Sequence, residues 1–293
     1  MIGLGAIAIG GCDRTTPRPP PPVAPPWREL AFPPTPGDPT DQLALVLSPP
    51  GATEEARPVL VALHGRGESG RGLAVGAHAW RDDYDLDRLD RRLSAPPLVA
   101  SDLQGLVEAA RLARINASLA AAPYRGVCVA CPYTPDLPDR SLAGAAGFGR
   151  FVIDRLLPRV RADHGGSGER RATGIDGVSM GGRLALLVGL GHPEVFGAVG
   201  ALQPALRVDE APAFAELARE AASRAPIALR LVSSAGDPFL PAVRALSDRL
   251  RVVGVDHELL VTPGPHDYVW NRGPGGAEML IWHERVERGL PAP

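Results

Sequence analysis

The stretch Gly177-Val178-Ser179-Met180-Gly181-Gly182 is a G-x-S-x-G pattern set between an apolar run, Thr173–Val178, and an apolar helical stretch that ends near Leu190. Between a strand and a helix, that pattern predicts a tight elbow. Glycine two residues either side of the serine removes Cβ atoms that would collide there. The serine hydroxyl then projects above the sheet edge, at a helix N-terminus whose free N–H groups favour a developing oxyanion. A hydroxyl is a weak nucleophile until a base takes its proton. Seven histidines compete for that role. His266 lies in Thr262-Pro-Gly-Pro-His-Asp-Tyr-Val-Trp270, a loop directly after the last strand candidate. His64 precedes a glycine turn and suits another job. His257 starts a strand, His283 sits in a helix, and His164 and His192 occupy polar loops.

A base of this kind needs a carboxylate to hold its tautomer and stabilise the imidazolium. Asp237 ends Ala-Leu-Arg-Leu-Val-Ser-Ser-Ala-Gly-Asp, directly after a strand and before Pro238. Asp256 and Asp209 are alternates, and Asp267 is too close in sequence to reach back to Nδ1. The order Ser179, Asp237, His266 is that of one serine-triad topology. The oxyanion needs two donors. One is the N–H of Met180, after the nucleophile. The other comes from the loop after Val59–Leu63, with the Arg66 amide favoured and Gly65 second. The Arg66 and Glu68 side chains are read equally as pocket lining or as surface.

The elements that must position these groups are short apolar runs: Leu43–Leu47, Val59–Leu63, Val127–Cys131, Thr173–Val178, Ala198–Leu202, Ile227–Val232 and Glu258–Val261. Continuous apolarity fits parallel strands covered on both faces. Helical spacing between them, as in Leu184, Leu186, Leu187 and Leu190, predicts an α/β fold with a mostly parallel, doubly wound sheet. The stretch from 66 to 125 carries no strand candidate and is read as a helical, cap-like insertion beside the site, with an extra helical layer that only packs as the equal alternative. The folded domain is placed at 41–293.

Before it, Pro17 to Pro39 contains eleven prolines, so residues 13–40 are read as an extended linker. Residues 1–12 end in Ile9-Gly10-Gly11-Cys12, which resembles a bacterial lipobox and predicts lipidation of Cys12 and a place in the cell envelope. The basic leader of such a signal is missing. Cys128 and Cys131 lie three apart on one strand, so they point to opposite faces and read as packed thiols.

Composition excludes several classes. All 31 basic residues are arginine, which rules out Schiff-base lysine, Ser-Lys and P-loop chemistry. A formal net charge of −2 gives no field favouring nucleic acid. No metal-ligand cluster or cofactor motif is found.

Together His64-Gly-Arg-Gly-Glu-Ser69, the Ser179 elbow, Ser233-Ser-Ala-Gly-Asp237 and the His266 loop resemble the α/β-hydrolase superfamily. Within it they are similar to the esterase group related to esterase D, feruloyl esterases and antigen 85 proteins. The resemblance covers roughly residues 41 to 290. It implies a serine triad of Ser179, Asp237 and His266, ester hydrolysis through an acyl-enzyme, a small-molecule or polysaccharide-linked ester as substrate, and no cofactor. Acyl transfer from the same intermediate, peptidase activity and a non-catalytic binding module are the alternatives.

Overall fold

The computed structural model describes residues 27–35, 41–48 and 56–293. The readings made on the Cys12 segment and the first prolines lie outside the described residues. Among those described, eight strands form one sheet in the order β1-β2-β4-β3-β5-β6-β7-β8. The strands are β1 Trp27–Phe32, β2 Gln42–Leu47, β3 Val59–Leu63, β4 Cys128–Pro132, β5 Thr173–Gly177, β6 Ala198–Leu202, β7 Ala228–Gly236 and β8 Glu258–Pro265. The β1–β2 and β2–β4 pairs are antiparallel and the rest are parallel.

The helices between them are α1 Arg66–Ser69, α2 Leu73–Ala77, α3 Ala79–Asp82, α4 Leu86–Leu93, α5 Ala109–Ala121 and α6 Leu142–Phe151. They continue as α7 Leu157–His164, α8 Met180–Gly191, α9 Ala211–Arg224, α10 Leu240–Val252, α11 Tyr268–Trp270 and α12 Gly276–Glu287. None among the described residues is long and apolar enough to cross a membrane.

Period-2 alternation between two covered faces explains why β3 is apolar throughout. On β3, Val59, Val61 and Leu63 enter one core layer, while Leu60 and Ala62 enter the other. Helices α6 to α10 cover the first face, and α3, α4, α5 and α12 cover the second. The same alternation sends Cys128 and Cys131 to opposite layers, both as buried free thiols. Burial pushes the Cys128 thiol up to about 11, so neither acts as a reactive thiolate.

The sheet is wound both ways from β3. The chain returns from β3 as β4 on one side, then crosses to β5 on the other. This reversal opens a crevice at the strands' carboxyl ends, where α/β sheets place ligands. Leu63 and Gly177 are register partners there, so the loops starting at His64 and Val178 begin side by side.

Two readings from the sequence need correction. The 13–40 linker contains a strand: β1 pairs with β2 from Trp27↔Leu47 to Phe32↔Gln42. Proline density hid it. Leu30 and Phe32 are buried in one core layer and Trp27 in the other, while Arg28, Glu29 and Ala31 face water, as on a partly buried edge strand. The 66–125 stretch is not a cap over the serine. Trp80, Tyr84, Leu86, Leu89, Leu93, Ile115 and Leu119 pack with Leu60, Val129 and α12 as the helical layer of one sheet face. Only its first residues and Tyr84 reach the site.

Candidate active site

Ser179 joins β5 to α8 at φ 58° and ψ −117°. A non-glycine residue held in this region costs on the order of 1–3 kcal/mol and persists only where its surroundings over-determine it. Here they do. The Ser179 N–H donates to the Leu202 carbonyl at 2.9 Å, and its own carbonyl accepts from Ala205 at 2.9 Å. A Cβ on Gly177 would lie 2.6 Å from the Gly181 backbone, and one on Gly181 2.5 Å from the His64 carbonyl oxygen. The glycines are thus required by close backbone approach.

Strands β7 and β8 run further than their apolar cores, to Gly236 and Pro265. A register shift between Ser234 and Gly236 lets their ends deliver Asp237 and His266 side by side. His266 Nδ1 lies 2.9 Å from Asp237 Oδ1, and Nε2 lies 3.1 Å from Ser179 Oγ. With the Nδ1 proton donated to the carboxylate, Nε2 is free to accept from the serine hydroxyl. Asp237 is buried, and it also accepts from the Phe239 N–H at 3.0 Å and from Ser233 Oγ at 2.6 Å. The Phe239 ring stands edge-on to the imidazole at 5.4 Å. Asp267 does a different job, accepting from the Trp270 N–H at 3.0 Å as the cap of α11. None of the other described histidines is bonded to Ser179. His257 meets Ser247, His164 meets Ser48 and His192 meets Glu194.

Gln203 escaped the sequence reading. It is buried at φ 43°, and its amide donates to Ser234 Oγ at 2.7 Å and to the Pro265 carbonyl at 3.0 Å. It therefore ties the loop under the serine to the residue before His266. Its one signal was a polar side chain ending the apolar run Ala198–Leu202.

The loop after β3 is pinned from three sides. His64 Nε2 accepts the Thr134 N–H at 2.8 Å, so its Nδ1 carries the proton and donates to the Gly65 carbonyl at 2.9 Å. Burial lowers the His64 pKa to about 4 and keeps the ring neutral. The Gly65 N–H donates to the Tyr84 hydroxyl at 3.3 Å. The Gly65 N–H is thus already engaged, which counts against it as an oxyanion donor. Arg66 opens α1 and Met180 opens α8, so neither N–H has a partner within its own helix. Glu68 is buried rather than lining a pocket. It accepts from Tyr268 Oη at 2.6 Å and from the buried Tyr84. The bond to Glu68 pushes the Tyr268 phenol up to about 12. Tyr268 lies two residues past His266, so Glu68 links the oxyanion loop to the histidine loop.

A cavity of about 230 Å³ opens beside Ser179, with Met180, Leu184, Leu187, Leu206 and Phe239 among its walls. Arg66 stands at its edge, bonded to Asp136 at 2.7 Å. Among the described residues no group of three or more His, Cys, Asp or Glu is arranged to hold a metal ion.

This fold, with its elbow at the crevice, is that of the α/β-hydrolases. Residues 129–268 match the protein family described as "Putative esterase". The iron(III) salmochelin esterase of Escherichia coli O6:H1 is 29% identical over 147 residues, 45% of this chain and 36% of that protein. The chain thus spans about a third of the length of that curated relative. A solved ferulic acid esterase superposes at TM-score 0.62 with 18% identity, covering 89% of this chain and 98% of its own. The S-formylglutathione hydrolase of Staphylococcus aureus does so at 0.56 with 14% identity, covering 90% and 96%. At these identities the structural likeness is one of fold. The fold is thus that of the α/β-hydrolases, and the matched segment is similar to the esterase family.

Proposed function

We propose that the chain hydrolyses carboxylic esters through a covalent acyl-enzyme on Ser179. The observation that carries this reading is the unbroken hydrogen-bonded row Asp237–His266–Ser179 at 2.9 and 3.1 Å. His266 takes the serine proton as Oγ attacks the ester carbonyl carbon. The Met180 and Arg66 amides receive the tetrahedral oxyanion. As the C–O bond to the alcohol breaks, His266 returns the proton to the leaving oxygen. Water, deprotonated by the same imidazole, then releases the acid and restores the serine. Binding alone does not require these three side chains in a row. Purified protein should turn over p-nitrophenyl acetate, and Ser179→Ala should lower kcat by about 10⁴-fold or more. Retained turnover in that variant would remove the serine from the chemistry.

We propose further that Cys12 is lipidated at the cell envelope, a reading that rests on Ile9–Cys12 and the proline-rich stretch that follows it. Incorporation of labelled palmitate, lost in Cys12→Ser, is its test.

A further inference from the structure

Arg183 and Leu187 lie four apart on α8 and so in one row along its surface, and the helix starts directly after Ser179. At 1.5 Å rise per residue, Leu187 lies about 12 Å from the serine along the axis. An acetyl group cannot reach that far, whereas a decanoyl chain can. The cavity at Ser179, about 230 Å³, is also small: pockets that take ordinary small molecules span about 300–1,000 Å³. A second groove, of about 490 Å³, adjoins it. Arg140, Arg183 and Leu187 line both. Phe214 and Leu217 of α9 line the second groove from one side, and Leu142, at the start of α6, from the other.

Arg183 is a fixed post between the two spaces. Its guanidinium binds both Glu210 oxygens, at 2.7 and 2.8 Å, donates to the Arg140 carbonyl at 3.0 Å, and stands 5.2 Å from the Phe214 ring centre. The other arginines of the first cavity are paired as well. Arg66 and Arg140 share Asp136 at 2.7 and 3.2 Å, and Arg207 holds Asp209 at 2.8 Å. Each cation is thus answered by a carboxylate. Glu216 and Glu220 line the second groove too, which disfavours an anionic tail there.

We propose that the second groove is a subsite for an extended, uncharged apolar arm of the ester substrate. The proposal rests on the ester-hydrolase reading above and adds its substrate class: medium- and long-chain neutral esters, over acetate and over esters with a carboxylate-ended chain. The arm runs from Ser179 past Leu184 and Leu187, beside the Arg183 post, onto Leu142 and Phe214. Each methylene moved from water onto such a wall is worth up to about fourfold in binding.

The test is a panel of p-nitrophenyl esters on the full chain: acetate, butyrate, decanoate and a decanoate ending in carboxylate. Two variants at exposed positions accompany it, Ala213→Trp to fill the groove and Leu142→Glu to charge it. The expected result is a kcat/KM for decanoate at least ~10-fold above acetate, with the carboxylate-ended ester falling back toward acetate. Both variants should lower decanoate turnover by about tenfold while acetate stays within about twofold of wild type. A profile that is flat or falling beyond butyrate, with turnover still dependent on Ser179, overturns the subsite and leaves the hydrolase reading standing. Equal losses on acetate and decanoate in both variants also overturn it. Absence of any Ser179-dependent turnover overturns the parent reading, and the subsite with it.

Discussion

Asp237 accepts three hydrogen bonds in a buried position, from His266, Ser233 and the Phe239 amide. Those bonds hold it oriented, and through it they set the proton on Nδ1 of His266. Asp237→Asn keeps the shape but offers an N–H or a neutral carbonyl to the imidazole, which favours the wrong tautomer. Turnover at neutral pH should fall by about 10⁴-fold with KM little changed, as steady-state kinetics on a short ester would reveal. A fall below tenfold would mean that another carboxylate orients the ring. The three side chains now in contact were legible in the sequence because each sits beside its own local signal. Ser179 has its flanking glycines, and Asp237 and His266 each directly follow a strand. Gln203, Glu68 and Tyr84 were not legible, because what defines them is remote. Tyr268 and Glu68, for example, are 200 residues apart along the chain.

The loop from His64 to Ser69 is held as one element by His64, Tyr84 and Glu68. Tyr84→Phe removes the acceptor for the Gly65 N–H and one donor to Glu68, while the ring still fills its place against Trp80. The Arg66 amide then loses its fixed aim. We expect kcat to fall about tenfold with KM within about twofold, and a stability loss of about 1–2 kcal/mol by urea unfolding. An unchanged kcat would show that the loop keeps its geometry without this bond.

Helix α12 teaches a different lesson. Its sequence, Gly276-Ala-Glu-Met-Leu-Ile-Trp-His-Glu-Arg-Val-Glu287, reads as amphipathic, yet its Glu278, His283, Glu284, Arg285 and Glu287 are all buried. Besides the pairs His283–Glu287 and Arg285–Glu284 within the helix, partners come from elsewhere: Arg111 and Arg230 reach Glu278, Asp176 reaches His283, and Ser118 reaches Arg285. Burial opposes a charge on His283, but its bonds to Asp176 and Glu287 outweigh that and raise its pKa to about 9. Unfolded, it would titrate near 6.5. The folded state therefore binds the extra proton between those values, and stability declines as pH rises from about 6.5 through about 9, by up to about 3 kcal/mol. Denaturant unfolding at pH 6.5 and 9.5 measures this, and equal stability at both would contradict the buried ion cluster.

At the scale of the whole molecule, the sequence legibly announced a parallel sheet wound on both faces, since strands such as β3 and β6 carry no polar side chain on either face. Its edges were less legible. β1 lies among prolines and buries only Trp27, Leu30 and Phe32, so neither composition nor continuous apolarity marks it. The helical stretch from 66 to 125 carries no signal that distinguishes a lid from a layer, and its packing on Leu60 and Val129 decides for the layer. With that stretch against the sheet, the crevice at the carboxyl ends of β3 and β5 is left open along α8. A fluorophosphonate probe asks whether the alcohol oxygen in this crevice is reactive. Intact mass should rise by one phosphonyl group, peptide mapping should assign it to Gly177–Gly182, and both Ser179→Ala and His266→Ala should abolish rapid labelling. Stoichiometric labelling at another residue, or no labelling of folded protein at neutral pH, would contradict the account.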